Sequence, residues 1–483
     1  MSLSTALNSA ISGLNAAGRA SGVVSENIAN AMTPGYARRS VMLASRGDVS
    51  PGVRFLGVQR NSDPGILANR RAADAAVGAA SGIEAFQTRL MQALGQVGDP
   101  ASLTGRLTEF ENALTTAASF PESAQRLDQV ALRANDLVGS IVGAADAVQK
   151  MRADADRSIN VQVNRLNDTL KQVQDLNSRI TAMAAGGAET AALQDQRQVL
   201  IDEINTMVPV NVVSRDRGQV ALYTDGGAIL LDGPAVTISF EPVNGIVAEM
   251  TIGSGALSGI EINDRPVRTD SLRGALRGGT LGAAFEVRDE LGVAVQGELD
   301  AVARDLVERF QDPALDATLP AGAAGLFTDN GAAFDSADEP GLAERLKVNA
   351  AADPGQGGDS RRLRDGLGAV APGPVGEARF LNALADTLSS GRTPASGSFG
   401  GGSLSADELA TTFLSSIAQD RTVAEQRLSF ATASQFEMAQ AELSQGVDTD
   451  AELSNLILIE QSYAANARMI KIVDDLMQTL LRL

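Results

Sequence analysis

Over the first thirty positions of the chain, apolar or small residues recur at alternating four- and three-residue steps through Leu3, Leu7, Ala10, Leu14, Ala17, Ser21, Val24 and Ile28. The last thirty repeat the rhythm through Leu456, Ile459, Tyr463, Asn466, Ile470, Val473, Met477 and Leu480. A period of about 3.5 residues keeps one stripe facing a partner helix as the pair supercoils, so both ends predict coiled-coil seams. Chain ends usually fray. A subunit that assembles through its ends is the simplest reason to stripe both of them.

Between these ends the period changes several times. Pro34 stops the first helix because it pushes Thr33 out of the helical region, and Gly35 then permits a turn. Residues 40–60 read as extended pieces or a loose hairpin around Asp48 to Gly52, and helical patterning resumes near Pro64 as far as about Gln96. One long helical block is expected from Ser102 to Met183, its second half carrying a heptad from Ala155 through Ile159, Leu166, Val173 and Ile180, followed by a helix from Ala191 to Met207. From Val210 to about Leu281 the period is two, with candidate strands at residues 220–223, 228–231, 236–240 and 246–252. Helix returns from Glu286 to Phe310. Residues 311–402, rich in Gly, Pro, Ala and Asp, read as loops with small β pieces and a helical stretch at Arg379 to Leu388. Ser405 with Glu408 forms a capping box for a helix to Leu443, and the terminal heptad helix begins near Asp450.

The expected fold is therefore mainly α with an inserted β domain: long antiparallel helices and terminal coiled-coil helices in a nested, multi-domain architecture. Residues 1–45 with 446–483 form the terminal assembly domain. Residues 46–209 with 286–445 form a helical bundle with loops and small β pieces, and residues 210–285 form the β insert.

Composition narrows the function classes. The 483 residues include no Cys, no His and no Trp, which removes disulfides, thiolate metal sites and the commonest general base. A net charge of −19 argues against nucleic acid or an anionic membrane as partner. The charge is uneven, because residues 1–71 hold eight Arg, no Lys and three acids, a net of +5 that leaves −24 for the rest. No cleavable leader and no continuous apolar span are read in the sequence, so a cytoplasmic protein or one exported without a cleavable leader is expected. No catalytic, cofactor-binding or metal-ligating set emerges. Asp154 with Asp156, and Asp448 with Asp450, lack the further ligands of a calcium loop and read as solvated faces. Arg361-Arg362-Leu363-Arg364 reads as surface charge.

The sharpest local string is Asn27-Ile28-Ala29-Asn30-Ala31-Met32-Thr33-Pro34-Gly35-Tyr36, a helix end whose Asn side chains can bond freed backbone groups, with a proline-fixed turn behind it. Its counterpart is Glu460 to Ile470, containing Tyr463 and Asn466. Together these resemble the axial proteins of the bacterial flagellum, a family of rod, hook and hook-associated subunits. The Pro34-Gly35-Tyr36 form with Arg38 looks like the hook-associated members at the junction with the filament, where Arg39 stands in place of a frequent Gln. The segments Gly278 to Asp289, with its Arg288-Asp289, and Gln445 to Asp448 are similar to the same members.

The resemblance implies a structural, non-enzymatic subunit of the hook–filament junction, secreted through the flagellar export channel and located on the extracellular flagellum. It implies a ring of copies, contacts with the hook protein and the next junction protein, and a cytoplasmic chaperone on the C-terminal helix; neither nucleic acid nor membrane is implied. The interface expected to do this work comprises Leu3, Leu7, Leu14, Val24 and Ile28 with Leu456, Ile459, Tyr463, Ile470, Val473, Met477 and Leu480. The motif positions are Asn27, Asn30, Thr33, Pro34, Gly35, Tyr36, Arg38 and Asn466. A hook or distal-rod subunit is the alternative within the family. A flagellar-tip enzyme or an adhesin is the alternative outside that class.

Overall fold

A computed structural model describes residues 3–46, 52–96 and 98–482. In chain order it has α1 (Leu3–Ala29), the hairpin β1 (Arg39–Ser45) and β2 (Val53–Arg60), then α2 (Pro64–Leu94), α3 (Leu103–Ser119), α4 (Ala124–Ala185) and α5 (Ala191–Met207). Short strands follow: β3 (Val210–Ser214), β4 (Val220–Thr224), β5 (Ile229–Leu231), β6 (Ile238–Ser239), β7 (Ile260–Ile262) and β8 (Arg265–Val267). Next, α6 (Gly279–Glu286) runs through a π-helical turn at Val287–Leu291 into α7 (Gly292–Phe310). Then come β9 (Phe327–Asp329), α8 (Leu342–Arg345), β10 (Leu346–Val348), α9 (Arg362–Asp365), α10 (Arg379–Ser389), α11 (Ala406–Ser444) and α12 (Thr449–Leu481). The expected turn over Asp48 to Gly52 lies, apart from Gly52, outside the described residues.

The architecture is mainly α with small antiparallel sheets, β3-β4-β5 and β6-β7-β8 forming the inserted region. Helix α4, 62 residues long, is its axis. The first part of α4, from Leu127 to Ala155, joins α2, α3, α7, α10 and α11 in one apolar core, where Phe110, Phe310 and Phe327 meet edge to face or tilted. Its second part buries Ile159, Leu166, Leu170 and Val173 completely, against Ile201 and Ile204 of α5 and against Leu222, Leu230 and Ile260 of the sheets. The interior heptad is thus core, as its spacing suggested.

Between the two apolar clusters lies a polar joint in which Arg152, Asp156 and Arg288 are wholly buried. Arg152 donates from Nε to the Arg288 carbonyl at 2.9 Å and from Nη2 to the Met250 carbonyl at 2.6 Å, and Nη1 reaches the Val247 carbonyl. Arg288 donates to Asp156 Oδ1 at 2.6 Å, to the Ser258 carbonyl at 2.8 Å and to Asp289. Two guanidinium groups can be fully buried here because acceptors surround both. The π turn places Arg288 and Asp289 at this joint, with the Arg288 cation also beside the rings of Phe240 and Phe285.

Several expectations are corrected. The block from Ser102 to Met183 is two helices, because Pro121 removes a backbone donor and biases Phe120 away from helix, so α3 ends at Ser119 and Ser123 starts α4. The helix expected from Glu286 starts at Gly279, whose backbone sits so close to α5 that a Cβ there would lie 2.4 Å from the Met207 carbonyl oxygen. Residues 246–252 form no strand, since the carbonyls of Val247 and Met250 accept from Arg152 instead of a ladder. Strands β7 and β8 take their place, joined by Asn263-Asp264 with both φ angles positive, a tight hairpin turn. Asp156 is a buried ion-pair partner and no solvated face. Arg364 is also buried, bound to Asp365 and the Pro121 carbonyl.

One half-buried acid makes stability depend on pH. Burial, and then the charges of Glu249, Asp146 and Asp300, raise the Glu344 carboxyl from 4.5 to about 7, with Arg345 opposing. One of its oxygens, Oε1, is buried without a hydrogen-bond partner. The folded chain therefore holds a proton that the unfolded chain releases above about pH 4.5, and this contribution is lost as pH rises through 7. Glu344→Gln is expected to flatten the fall in Tm between pH 5 and pH 8 and to give the more stable chain at pH 8. A variant that melts in parallel with the parent at every pH would refute this.

Candidate assembly site

Helices α1 and α12 lie antiparallel, joined closely where Gly13 meets Asn466. A Cβ on Gly13 would stand 2.8 Å from the Asn466 side chain, so the absence of a side chain lets the two helices touch there. On α1, Val24 is buried, while Leu3, Leu7, Leu14 and Ile28 are half-buried. On α12, Val473 is buried, and Leu456, Ile459, Asn466 and Ile470 are half-buried. Tyr463, Met477 and Leu480 stay 47, 47 and 59% exposed, so the single chain does not bring these three into the pair.

The second buried stripe of α1, Ser12, Ala16, Val23 and Asn27, was not read from the sequence. It faces the hairpin: Ser12 Oγ accepts from the Val53 amide at 3.1 Å, and the Arg19 guanidinium lies 4.2 Å from the centre of the Phe55 ring. The signal for it was present in the small residues at four- and seven-residue steps, but small side chains carry little hydropathy contrast.

Asn27 explains the motif. Fully buried, it accepts from the Tyr36 hydroxyl at 2.8 Å and from the Arg39 amide at 2.9 Å, and it donates to the Arg39 carbonyl at 2.8 Å. Its carboxamide thus acts as one rung of a strand, closing the loop that Pro34 and Gly35 open. Burial raises the Tyr36 phenol, against the attraction of Arg39. Asn30 donates to the Glu26 carbonyl and accepts from Thr33; Thr33 and Pro34 are exposed. Gly35 has φ +75° and lies against α5, where a Cβ would meet Val199 at 2.6 Å. Asn27→Ala is expected to cost about 2 kcal/mol through the polar groups it strands. Loss of hydrogen-exchange protection at the Arg39 amide would register this loss; unchanged protection would sink the account.

Charges tie the terminal elements to the body. Arg38 Nε lies 2.6 Å from Glu452 Oε1 in the first turn of α12, and the Glu452 side chain is 1% exposed. Arg39 binds Glu26 and Asp195 and lies 4.8 Å from the centre of the Tyr36 ring. A Gln at that position would keep the backbone bonds to Asn27 and lose these pairs. Arg60 also binds Asp195, while Arg70 binds Asp74, Asp202 and Glu442, and Arg71 shares Asp202. Asp195 and Asp202, two turns apart on α5, hold the hairpin and α2. None of these acids was singled out in the sequence, because each reads locally as an ordinary helix charge.

No helix among the described residues is long and apolar enough to cross a membrane. Three family models match along the chain: the flagella basal body rod protein at residues 7–36, the helical domain of flagellar hook-associated protein FlgK at residues 88–316, and the C-terminal region of basal body rod FlgEFG proteins at residues 436–483. Flagellar hook-associated protein 1 of Salmonella typhimurium is 30% identical over 294 residues, covering 57% of this chain and 51% of the relative, about half its length. The Escherichia coli K12 protein of the same name is 28% identical over 375 residues, covering 69% and 67%. The Bacillus subtilis protein is 22% identical over 504 residues, covering 98% and 96%. The solved flagellar hook junction protein FlgK from Burkholderia pseudomallei aligns with a TM-score of 0.45 and 18% identity, covering 55% of this chain and 47% of that one.

Proposed function

Because the chain belongs to the flagellar axial proteins, and within them to the family of hook-associated protein 1, we propose that it is a structural subunit of the hook–filament junction. Its work is packing rather than catalysis. The observation that supports this most is the state of α12: paired with α1 along one side, it leaves a second stripe uncovered, in which Leu458, Met469, Ile472 and Leu476 are 62, 46, 52 and 50% exposed. A helix with one apolar stripe covered and another bare suits a subunit completed by its neighbours.

On this reading residues 1–45 with 446–483 are the assembly unit, residues 46–209 with 286–445 the helical body, and residues 210–285 the outward insert. Copies close into a ring on the hook, and the next junction protein docks above. The chain travels through the flagellar export channel, and a cytoplasmic chaperone covers α12 until then. Cysteine-free composition is compatible with that passage. Immunogold labelling of intact flagella tests the placement: label confined to the hook–filament boundary is expected, and label along the hook would assign the chain to the hook instead.

A further inference from the structure

A charge-lined cleft not used by the terminal helices lies between the β6-β7-β8 sheet and the π turn. It encloses about 790 Å³, and its apolar surface comes from Phe240, Ile252, Pro266 and Val267, with the fully buried Ile260 behind them. Glu241, Glu261 and Glu290 line it as well, with Asp289, which Arg288 already binds through both carboxylate oxygens. Arg268 also lines it, but it is already bound to Asp270 at 2.8 Å. The walls are fixed in place. Arg152 and Arg288 hold the carbonyls of Val247, Met250 and Ser258 on one side, and Glu290 accepts from the Ser271 amide and hydroxyl on the other, both at 2.7 Å. The family-like Arg288-Asp289 segment thus builds a rigid, acidic, apolar-floored cleft that the terminal helices leave unused.

The chain carries the complementary surface at its other pole of charge. Residues 1–71 are net +5 in a chain of −19. The Phe55 ring of β2 packs against Arg19 of α1, and the neighbouring Arg54 and Leu56, both exposed, project from the opposite face of the strand. Leu56 is 50% exposed, and Met42 and Leu43 on β1 are 39 and 47% exposed. Arg46 and Arg54 are exposed, and neither has an ion-pair partner among the described residues. Cationic and apolar groups therefore stand together on the hairpin, as carboxylates and apolar groups do in the cleft.

We infer that the β1–β2 hairpin of one copy docks in the cleft beside the π turn of a second copy, its Arg46 and Arg54 meeting the cleft carboxylates while Leu56 and Met42 cover the apolar floor. Hairpin and cleft are different surfaces, so the contact is heterologous and propagates from copy to copy instead of closing a two-fold dimer. It adds a contact between bodies to the packing of terminal helices, and it requires only that copies meet, wherever along the flagellum they do so.

The absence of cysteine makes the test clean. Full-length Leu56→Cys and Ile252→Cys chains, mixed and oxidised, are expected to give a mixed disulfide dimer, and the double variant a ladder of multimers. Pairing Ile252→Cys with Val370→Cys, exposed on a remote loop, sets the background. Arg54→Glu and Glu241→Arg should each lower the cross-link yield by about tenfold at low salt, and the two reversed charges combined should restore it. A yield no higher than background, in solution and on intact flagella, would overturn the inference, as would Leu56→Cys pairing only with itself. If immunogold finds the chain away from the junction while the cross-link forms in solution, the proposed placement fails and this contact stands.

Discussion

Arg38→Gln is expected to cost about 3 kcal/mol and to release the start of α12 while leaving the α4 core intact. The reason is an asymmetry within one ion pair. Arg38 is 38% exposed, but Glu452 is 1% exposed, with Oε1 held by Arg38 at 2.6 Å and Oε2 without any hydrogen-bond partner. Removing the cation strands a carboxylate that cannot reach water. The N-terminal end of α12 offers partial relief, because a helix dipole favours a negative charge in its first turn by less than about 1 kcal/mol. Replacing both partners, Arg38→Gln with Glu452→Gln, should therefore recover more than half of the loss, since no buried charge remains. Hydrogen exchange over residues 449–470 reports the event directly. If the single variant protects this segment as well as the parent does, or if the double variant is the weaker of the two, the pair does not latch the helix.

That latch also marks the limit of what the sequence could disclose. Arg38 was legible as part of a family motif, yet its partner lies 414 residues away, and nothing near Glu452 distinguishes it from an ordinary first-turn acid. The same holds for Asp195 and Asp156, whose partners are 135 to 156 and 132 residues distant. Local pattern served better where burial follows local period. The heptads of α1 and α4, the capping box of α11 and the ends of α5 could all be read, because a continuous stripe or a cap is a property of neighbouring residues. It failed where a tertiary acceptor captured the backbone, as at Val247 and Met250, and where the signal was present but outweighed, as at Pro121. The candidate site was therefore half legible. The motif and those seam residues that pack within the chain, such as Val24 and Val473, could be named, whereas Tyr463, Met477 and Leu480 stay exposed in the single chain, and the one-sided pairing of α12 and its Arg latch depend on the assembled fold.

Val473→Asp is expected to abolish assembly, and comparison with Ile472→Asp separates two ways of doing so. Val473 is 4% exposed, whereas Ile472, one residue away on the same helix, is 52% exposed. An Asp at 473 forfeits about 1.5–3 kcal/mol of buried apolar side chain and adds the cost of an unpaired charge against α1, which together exceed what a single two-helix contact can absorb. The isolated chain should then lose protection in both α1 and α12, and on the proposed function no junction should form. Ile472 is more than half exposed, so an Asp there strands no buried charge inside the chain, and exchange protection of the isolated protein should stay close to the parent's. If the uncovered stripe meets a neighbouring subunit, this second variant still halts filament growth, because the charge must then be buried between copies. Normal filaments on Ile472→Asp cells would show that the stripe stays in water after assembly, and would leave the α1–α12 seam as the terminal contribution to the proposed junction. Normal filaments on Val473→Asp cells would remove that contribution as well.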